Sequence, residues 1–381
     1  MSDPVPVLWV HHASVLGGAE RSLLDVVRHL DPHRYFPVVC LPHPSPLASA
    51  LRDAGIQTIH LPIRRVTRTP SGFFSLAWNH ALGSTRMAGI LQSLRPAIVH
   101  ANSLTALLCA GPASRRQGIP CLWHCRDLSS IKPFQSAVRR WATGGVIAIS
   151  DTIARHLASS LGSSLTPITI PNGIDLAPDV PPPESGRFRQ QYGIQPATFL
   201  VGNIGQLVPW KRHDRFLDAM TRVAAILPDS RFVIAGTDPY NDHPAMVRAL
   251  QARASSPALR GRVIFTGHLP DIRPLLADLD CLVHTADREP FGRVIVEAMA
   301  AGCPVVAVKS GGPAEIIRDG TDGLLVDPAD LDAISQSVIR IAQDPLLTEQ
   351  LTTSARSRAR DAYDIRLTAT RLMSVYDQLG S

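Results

Sequence analysis

Residues 5–10 read Val5-Pro-Val-Leu-Trp-Val10, residues 11–18 form a loop ending in Gly17-Gly18, and Leu23 to Leu30 repeats apolar residues every three to four positions. A short apolar run, a glycine-bearing loop and a helical period, in that order, spell strand, turn and helix. The grammar repeats. Short β-rich runs follow at 36–41, 58–62, 97–101, 120–124, 145–150 and 166–170, most of them separated by helix-length stretches. That alternation predicts a parallel sheet covered by helices on both faces. Residues 171–186, Pro171-Asn-Gly-Ile-Asp-Leu-Ala-Pro-Asp-Val-Pro-Pro-Pro-Glu-Ser-Gly186, carry too many turn formers for an element and read as a linker. A second α/β series then runs through 199–204, 231–236, 262–266, 281–284, 305–308 and 324–326. The expected architecture is two Rossmann-like doubly wound domains, 1–170 and 187–362, facing a central cleft at the carboxyl ends of their strands. Arg356 to Leu379 has helical spacing with no strand after it, and a helix from about 363 to 381 is expected to pack back on the first domain.

Composition agrees with two cores. The 381 residues are 45% hydrophobic and 18% charged, far from the low-hydropathy, high-charge signature of disorder. No apolar run reaches the ~18 residues of a membrane helix, and Met1-Ser2-Asp3-Pro4 lacks a basic signal region, so the expectation is a cytoplasmic protein. Six scattered cysteines suit reduced thiols rather than a disulfide framework. The net charge of +6 is unevenly spread: residues 1–170 hold 16 Lys and Arg against 7 Asp and Glu, the remainder 22 against 25. The basic half lacks the aromatics or zinc spacing of a nucleic-acid binder. Its expected partner is an acidic substrate, or the anionic inner face of a membrane met through Arg64, Arg65, Arg68, Arg139 and Arg140; the bland alternative is a solvated basic face.

The chemistry concentrates in Glu289-Pro-Phe-Gly-Arg-Val-Ile-Val-Glu297-Ala-Met-Ala-Ala. Glu289 falls in the loop after the strand 281–284, Gly292 permits close backbone approach, and the helix that follows opens with free amides suited to an anion. Two carboxylates eight positions apart, bracketing such a helix start, can take hydroxyls on the two sides of a diphosphate. Asp278-Leu-Asp280 has a metal-binding look but reads as a helix end and a strand entry. Cys121, His124 and Cys125 lack a second zinc-spaced pair, and the first loop lacks the Gly-x-Gly-x-x-Gly of a dinucleotide site.

Over nearly its whole length the chain resembles the retaining glycosyltransferases of family four, which have the GT-B fold and an E-x7-E motif. The resemblance rests on Gly17-Gly18-Ala19-Glu20, Ile149-Ser150-Asp151, Ile170-Pro171-Asn172-Gly173-Ile174-Asp175, Gly205-Gln206-Leu207-Val-Pro-Trp-Lys211, Val263-Ile-Phe-Thr-Gly267, Glu289 to Glu297, Gly311-Gly312-Pro-Ala-Glu315 and Gly320-Thr-Asp-Gly323, in the family's order. It implies sugar transfer from UDP- or GDP-sugar to an acceptor hydroxyl, with retention, no metal and no other cofactor. It implies that Glu289 and the neighbouring Phe291 and Gly292 meet the donor sugar, that Glu297 binds the ribose, and that the amides near Arg293 and Val294 hold the distal phosphate. Lys211, one of only 3 lysines beside 35 arginines, matches the lysine that neutralises the departing diphosphate, assisted by Gly17 and Gly18 amides. Backbone groups near Gly267, His268 and Leu269 are expected to read the base. His124 resembles the histidine beside the donor's anomeric carbon, while His11 and His12 either approach the acceptor or are solvated loop residues. Where the family usually has Arg, this chain has Gln206; the expectation is that Arg212 or Arg293 supplies the missing cation. The acceptor is a saccharide, a lipid-linked glycan or a small molecule. A sugar-nucleotide 2-epimerase of the same fold and a non-catalytic nucleotide-sugar binder are the rival readings.

Overall fold

The computed structural model describes residues 3–13, 15–64, 83–162, 165–176 and 185–380. Two compact units divide the chain, one comprising Met1–Asp175 with Ile365–Ser381, the other Leu176–Asp364. The first unit is built on seven parallel strands: β1 (Val5–Val10), β2 (Tyr35–Leu41), β3 (Gln57–His60), β4 (Ile98–Ala101), β5 (Cys121–Cys125), β6 (Val146–Ala148) and β7 (Ile168–Thr169). Their spatial order is β3-β2-β1-β4-β5-β6-β7. Central strands of such a sheet are covered on both faces, so they read as apolar runs without alternation. Val7 to Val10 and the whole of β4 are buried, whereas the edge strands β3 and β7 are partly exposed. The order reverses between β1 and β4, which sends the loops after these two strands in opposite directions.

The C-terminal helix, Ile365–Gly380, belongs to this unit and closes its core. Ile365, Thr368, Ala369, Leu372, Val375 and Tyr376 are buried along one stripe, packed with Trp9, Leu23 and Leu122. The helical stretch read from Arg356 onward is broken. One helix runs Pro345–Tyr363, then Asp364 takes extended backbone (φ −62°, ψ 134°) before the next begins. The cause is a contact with the Pro-Asn-Gly segment: the Ile365 amide donates to Ile174 O at 2.9 Å. Gly173 lies directly against that junction, where a Cβ would come 2.5 Å from Ile365 Cα and 2.8 Å from its nitrogen.

The second unit holds β8 (Phe199–Ile204), β9 (Ser230–Ala235), β10 (Val263–Gly267), β11 (Cys281–His284), β12 (Val305–Val308) and β13 (Leu324–Val326), again parallel, in the order β10-β9-β8-β11-β12-β13. The reversal now lies between β8 and β11. Asp278 and Asp280 are indeed helix end and strand entry: Asp278 accepts from the Gly186 and Arg189 amides, and Asp280 accepts from Arg189 and the Leu200 amide at 2.7 Å.

Gly173→Ala is expected to destabilise the protein by about 1–3 kcal/mol, because the added methyl meets backbone rather than a movable side chain. Gly18→Ala, where a Cβ meets nothing within 4 Å, is the control and leaves stability near wild type. Chemical denaturation of the two variants decides it; equal stability would remove the Gly173–Ile365 junction from the account.

Candidate functional site

Ligands of open α/β sheets bind beyond the strand carboxyl ends where the strand order reverses. In the second unit that point gathers the loops after β8 and β11. From the first comes Lys211, on a single 3-10 turn at Pro209–Lys211; from the second comes Glu289. Lys211 Nζ lies 2.5 Å from Glu289 Oε2, and the ammonium also sits over the Trp210 ring, 4.5 Å from its centroid. His284 Nε2, at the end of β11, is 3.1 Å from the same carboxylate oxygen. Glu289 is only 7% exposed. Burial alone would raise its pKa, but the Lys211 charge and the His284 hydrogen bond outweigh that and hold it at about 2.

Beyond Glu289 the chain turns sharply. Gly292 has φ +102°, a conformation that favours glycine, and a Cβ there would also press on Ile295 Cδ1 at 3.0 Å. It caps the helix Arg293–Ala301, whose first amides have no intrahelical partners by geometry. Phe291 is buried edge-on against Tyr363, and the Glu289 carbonyl accepts the Gly312 amide at 2.9 Å, which ties the Gly311-Gly312 segment to this loop. Half-buried Val294 follows Arg293, and Arg293 Nε pairs with Glu297 Oε1 at 2.7 Å, one helical turn on.

Both arginines expected to supply the cation missing at Gln206 are paired with carboxylates. Arg212 is bound to both Asp214 (3.0 Å) and Asp287 (2.8 Å), the latter shared with Arg215, and Arg293 is engaged by Glu297. Gln206 itself leads from β8 into the turn, and its carbonyl is 3.0 Å from His213 Nε2. Gly267, exposed His268 and Leu269 lie at the end of β10, two strands from β8, joined to the site through the Gly236 amide that donates to Gly267 O.

In the first unit the reversal gathers the loops after β1 and β4. Glu20 organises the glycine loop: one carboxylate oxygen is 2.8 Å from His11 Nε2 and the other accepts the Gly17 amide at 2.9 Å. The Gly17 amide is therefore spent on Glu20 rather than offered to a diphosphate, while Gly18 is exposed. Burial raises the Glu20 pKa, but the hydrogen bond and charge of His11 with the two loop amides bring it below the usual carboxylate value. His11, 1% exposed, is not a solvated loop residue; Asn102 bonds its Nδ1, and Asn102 in turn accepts from Arg126 Nε at 2.6 Å. Arg126 also donates to Ser22 and to Asn172 of the Pro-Asn-Gly segment. His12 is 2.9 Å from Ser103 Oγ. His124 is buried, with Nδ1 3.1 Å from His100 Nε2 and Nε2 lacking any partner.

The sequence reading did not single out His100, Asn102, Arg126 or His284. Two of them carried a signal: a histidine in an otherwise apolar run, Ile98-Val-His-Ala101 and Cys281-Leu-Val-His284, is a polar side chain in a strand that burial should exclude. Among the described residues, no group of three His, Cys, Asp or Glu side chains could hold a metal ion. Arg64, Arg139 and Arg140 are exposed, Arg65 and Arg68 lie outside the described residues, and no described helix is long and apolar enough to cross a membrane.

Lys211→Met leaves the Glu289 carboxylate buried without its cation, a loss on the order of 3–5 kcal/mol at neutral pH. The sign with pH follows from the depressed pKa. In the wild type the pair's stabilisation is complete above about pH 4.5 and is lost as pH falls through about 2. Denaturation as a function of pH is therefore expected to show a deficit in the variant that shrinks on acidification, as the carboxyl takes a proton; a pH-independent deficit would contradict the ion pair.

Comparison with known proteins identifies the family. Residues 184–358 match the family described as "Glycosyl transferases group 1", and residues 16–178 match "Glycosyltransferase Family 4". A GDP-mannose-dependent alpha-(1-6)-phosphatidylinositol monomannoside mannosyltransferase of Mycolicibacterium smegmatis is 30% identical over 283 residues, 70% of this chain and 72% of that one. The 2-deoxystreptamine glucosyltransferase of Streptomyces kanamyceticus is 27% identical over 74% of this chain and 76% of its own. Among solved structures, Anabaena HepE in complex with UDP and glucose superposes with a TM-score of 0.82 at 25% identity, covering 98% of this chain and 100% of that one. With its two parallel sheets of seven and six strands, the chain belongs to the family-four group 1 glycosyltransferases and is a hexosyltransferase of the GT-B fold.

Proposed function

We propose that the protein transfers a hexose from UDP- or GDP-hexose to an acceptor hydroxyl with retention of configuration, and that it needs no metal ion to do so. The observation that carries this is the cluster of Lys211, Glu289 and His284 at the β8/β11 reversal, beside the N-terminus of the helix from Arg293. A cation and a helix start supply positive charge where a diphosphate leaves, the task a divalent metal serves elsewhere. The anionic phosphates compete with Glu289 for Lys211. Once the ammonium turns to them, the carboxylate is free to take sugar hydroxyls while His284 keeps it in place. Glu297, freed from Arg293, takes the ribose, and Arg293 joins the phosphate side. In the first unit, His124 meets a hydroxyl of the transferred sugar. The exposed Arg64, Arg139 and Arg140 favour an anionic acceptor or a membrane headgroup as the other partner. The names of relatives that act on glycolipids and on an aminocyclitol support acceptors of either kind.

Nucleotide release from UDP-glucose and GDP-mannose, followed with and without a chelator, tests the reading. Release dependent on acceptor and indifferent to chelator supports it; formation of a 2-epimer, or no turnover with either donor, overturns it. Glu297→Ala is expected to weaken nucleoside diphosphate binding by about 10–150-fold, the worth of a charge-assisted hydrogen bond. Glu289→Ala is expected to lower turnover while sparing that affinity, and equal loss of both would reverse the two roles. Because Arg212 is held by both Asp214 and Asp287, leaving Arg293 alone to join Lys211 on the phosphate side, Gln206→Arg is expected to tighten diphosphate binding by about fivefold in calorimetry. No gain would mean that Arg212 also changes partner when the phosphates arrive, or that Lys211 and Arg293 already complete the site.

A further inference from the structure

In the first unit a chain of buried groups leads from the C-terminal helix to His124. Tyr376 Oη lies 2.8 Å from His100 Nδ1, and His100 Nε2 lies 3.1 Å from His124 Nδ1. Tyr376, His100 and His124 are each at most 1% exposed. His100 is held flat against Trp9, its partner across the β1/β4 ladder, with ring centroids 3.6 Å apart and planes 14° apart.

The proton positions follow from one fixed donor. A guanidinium only donates, and Arg126 Nη2 faces His124 Nδ1 at 3.4 Å, so that nitrogen carries a lone pair. His100 Nε2, facing the same lone pair, must then be the N–H that donates to it. Burial and the nearby Arg126 charge push the pKa of both imidazoles well below the ordinary value, so each is neutral and holds one proton. His100 Nδ1 is consequently an acceptor, and the Tyr376 hydroxyl donates to it. Burial likewise keeps the tyrosine protonated. The remaining proton of the series is on His124 Nε2, a buried N–H with no partner among the described residues. Such an orphan donor calls for a ligand acceptor.

We propose that Tyr376, acting through His100, is a positioning residue that together with Arg126 holds His124 in its Nε2–H tautomer and so makes it a hydrogen-bond donor to the transferred sugar rather than a base. The catalytic consequence rests on the proposed meeting of His124 with the sugar, while the tautomer itself does not. No proton is transferred: with Nε2 already protonated and the imidazole neutral, His124 can stabilise a hydroxyl oxygen but cannot remove its proton. Tyr376, at the far end of this line, is 252 positions from His124 in sequence and comes from the last helix, a reason for that helix to pack on the first unit beyond closing its core.

The tautomer is read directly in the full-length protein labelled with ¹⁵N-histidine. Long-range ¹H–¹⁵N spectra are assigned by the loss of signals in His100→Gln and His124→Ala. Both rings are expected as Nε2–H in the wild type, and Tyr376→Phe is expected to move His100 to a mixture of tautomers and to shift His124. His100→Gln, which leaves the C-terminal helix untouched, must shift His124 as well. An Nδ1–H form of His124 in the wild type, or spectra unchanged by Tyr376→Phe, overturns the relay. In kinetics, Tyr376→Phe is expected to lower kcat by about fivefold to tenfold, roughly one hydrogen bond, with UDP or GDP affinity unchanged. The loss must vanish in a His124→Ala background; losses that simply multiply would show a merely structural effect and refute the positioning role. Full activity of His124→Ala with the expected spectra would confirm the relay and refute the placing of His124 at the sugar.

Discussion

Everything about the binding end of each unit follows from the reversal of strand order in a parallel sheet. Parallel strands need crossover connections, and when the winding direction changes the two adjacent central strands send their loops apart. The carboxyl edge is left uncovered between β1 and β4 in one unit and between β8 and β11 in the other. The carboxylates buried there are satisfied by their neighbours: Glu20 by His11 and the glycine loop, Glu289 by Lys211 and His284. Each cluster places a carboxylate where it stays ionised; the first is local in sequence, whereas the second joins Glu289 to Lys211 across 78 positions.

A ligand-free ion pair at such a point is a poised state more than a stabilising device. A buried pair gains little over a well-packed apolar one, since desolvation offsets most of the attraction. In the proposed reaction it would supply a cation and an anion held in readiness, with His284 keeping the carboxylate oriented once the cation leaves. The same holds for Arg293 and Glu297. Both pairs link the two carboxylates of the E-x7-E segment to the cations that a diphosphate would attract.

Much of the fold was legible in the sequence because parallel central strands announce themselves as apolar runs: β1, β8, β11, β12 and β13 begin and end where the pattern places them. The break at Asp364 was not, since nothing local distinguishes it; Ile174 and Gly173, nearly 200 positions earlier, dictate it. The motif residues of the second unit were visible as a spacing, but their ligand-free partners were not. Arg212 looked available beside Gln206 and is instead held by Asp214 and Asp287, one of which lies 75 residues away. In the first unit the polar network joins β1, β4, β5 and the Pro-Asn-Gly segment, with β4 and β5 also reaching the final helix, and no window of sequence contains more than a fraction of it.

The central claim is that donor binding separates Lys211 from Glu289. A crystal structure with an intact UDP- or GDP-hexose tests it most directly. The account predicts Lys211 Nζ on a phosphate oxygen and the Glu289 carboxylate, still bonded to His284, within hydrogen-bond reach of a sugar hydroxyl. A bound nucleotide-sugar with the Lys211–Glu289 pair intact and neither group touching it would contradict it.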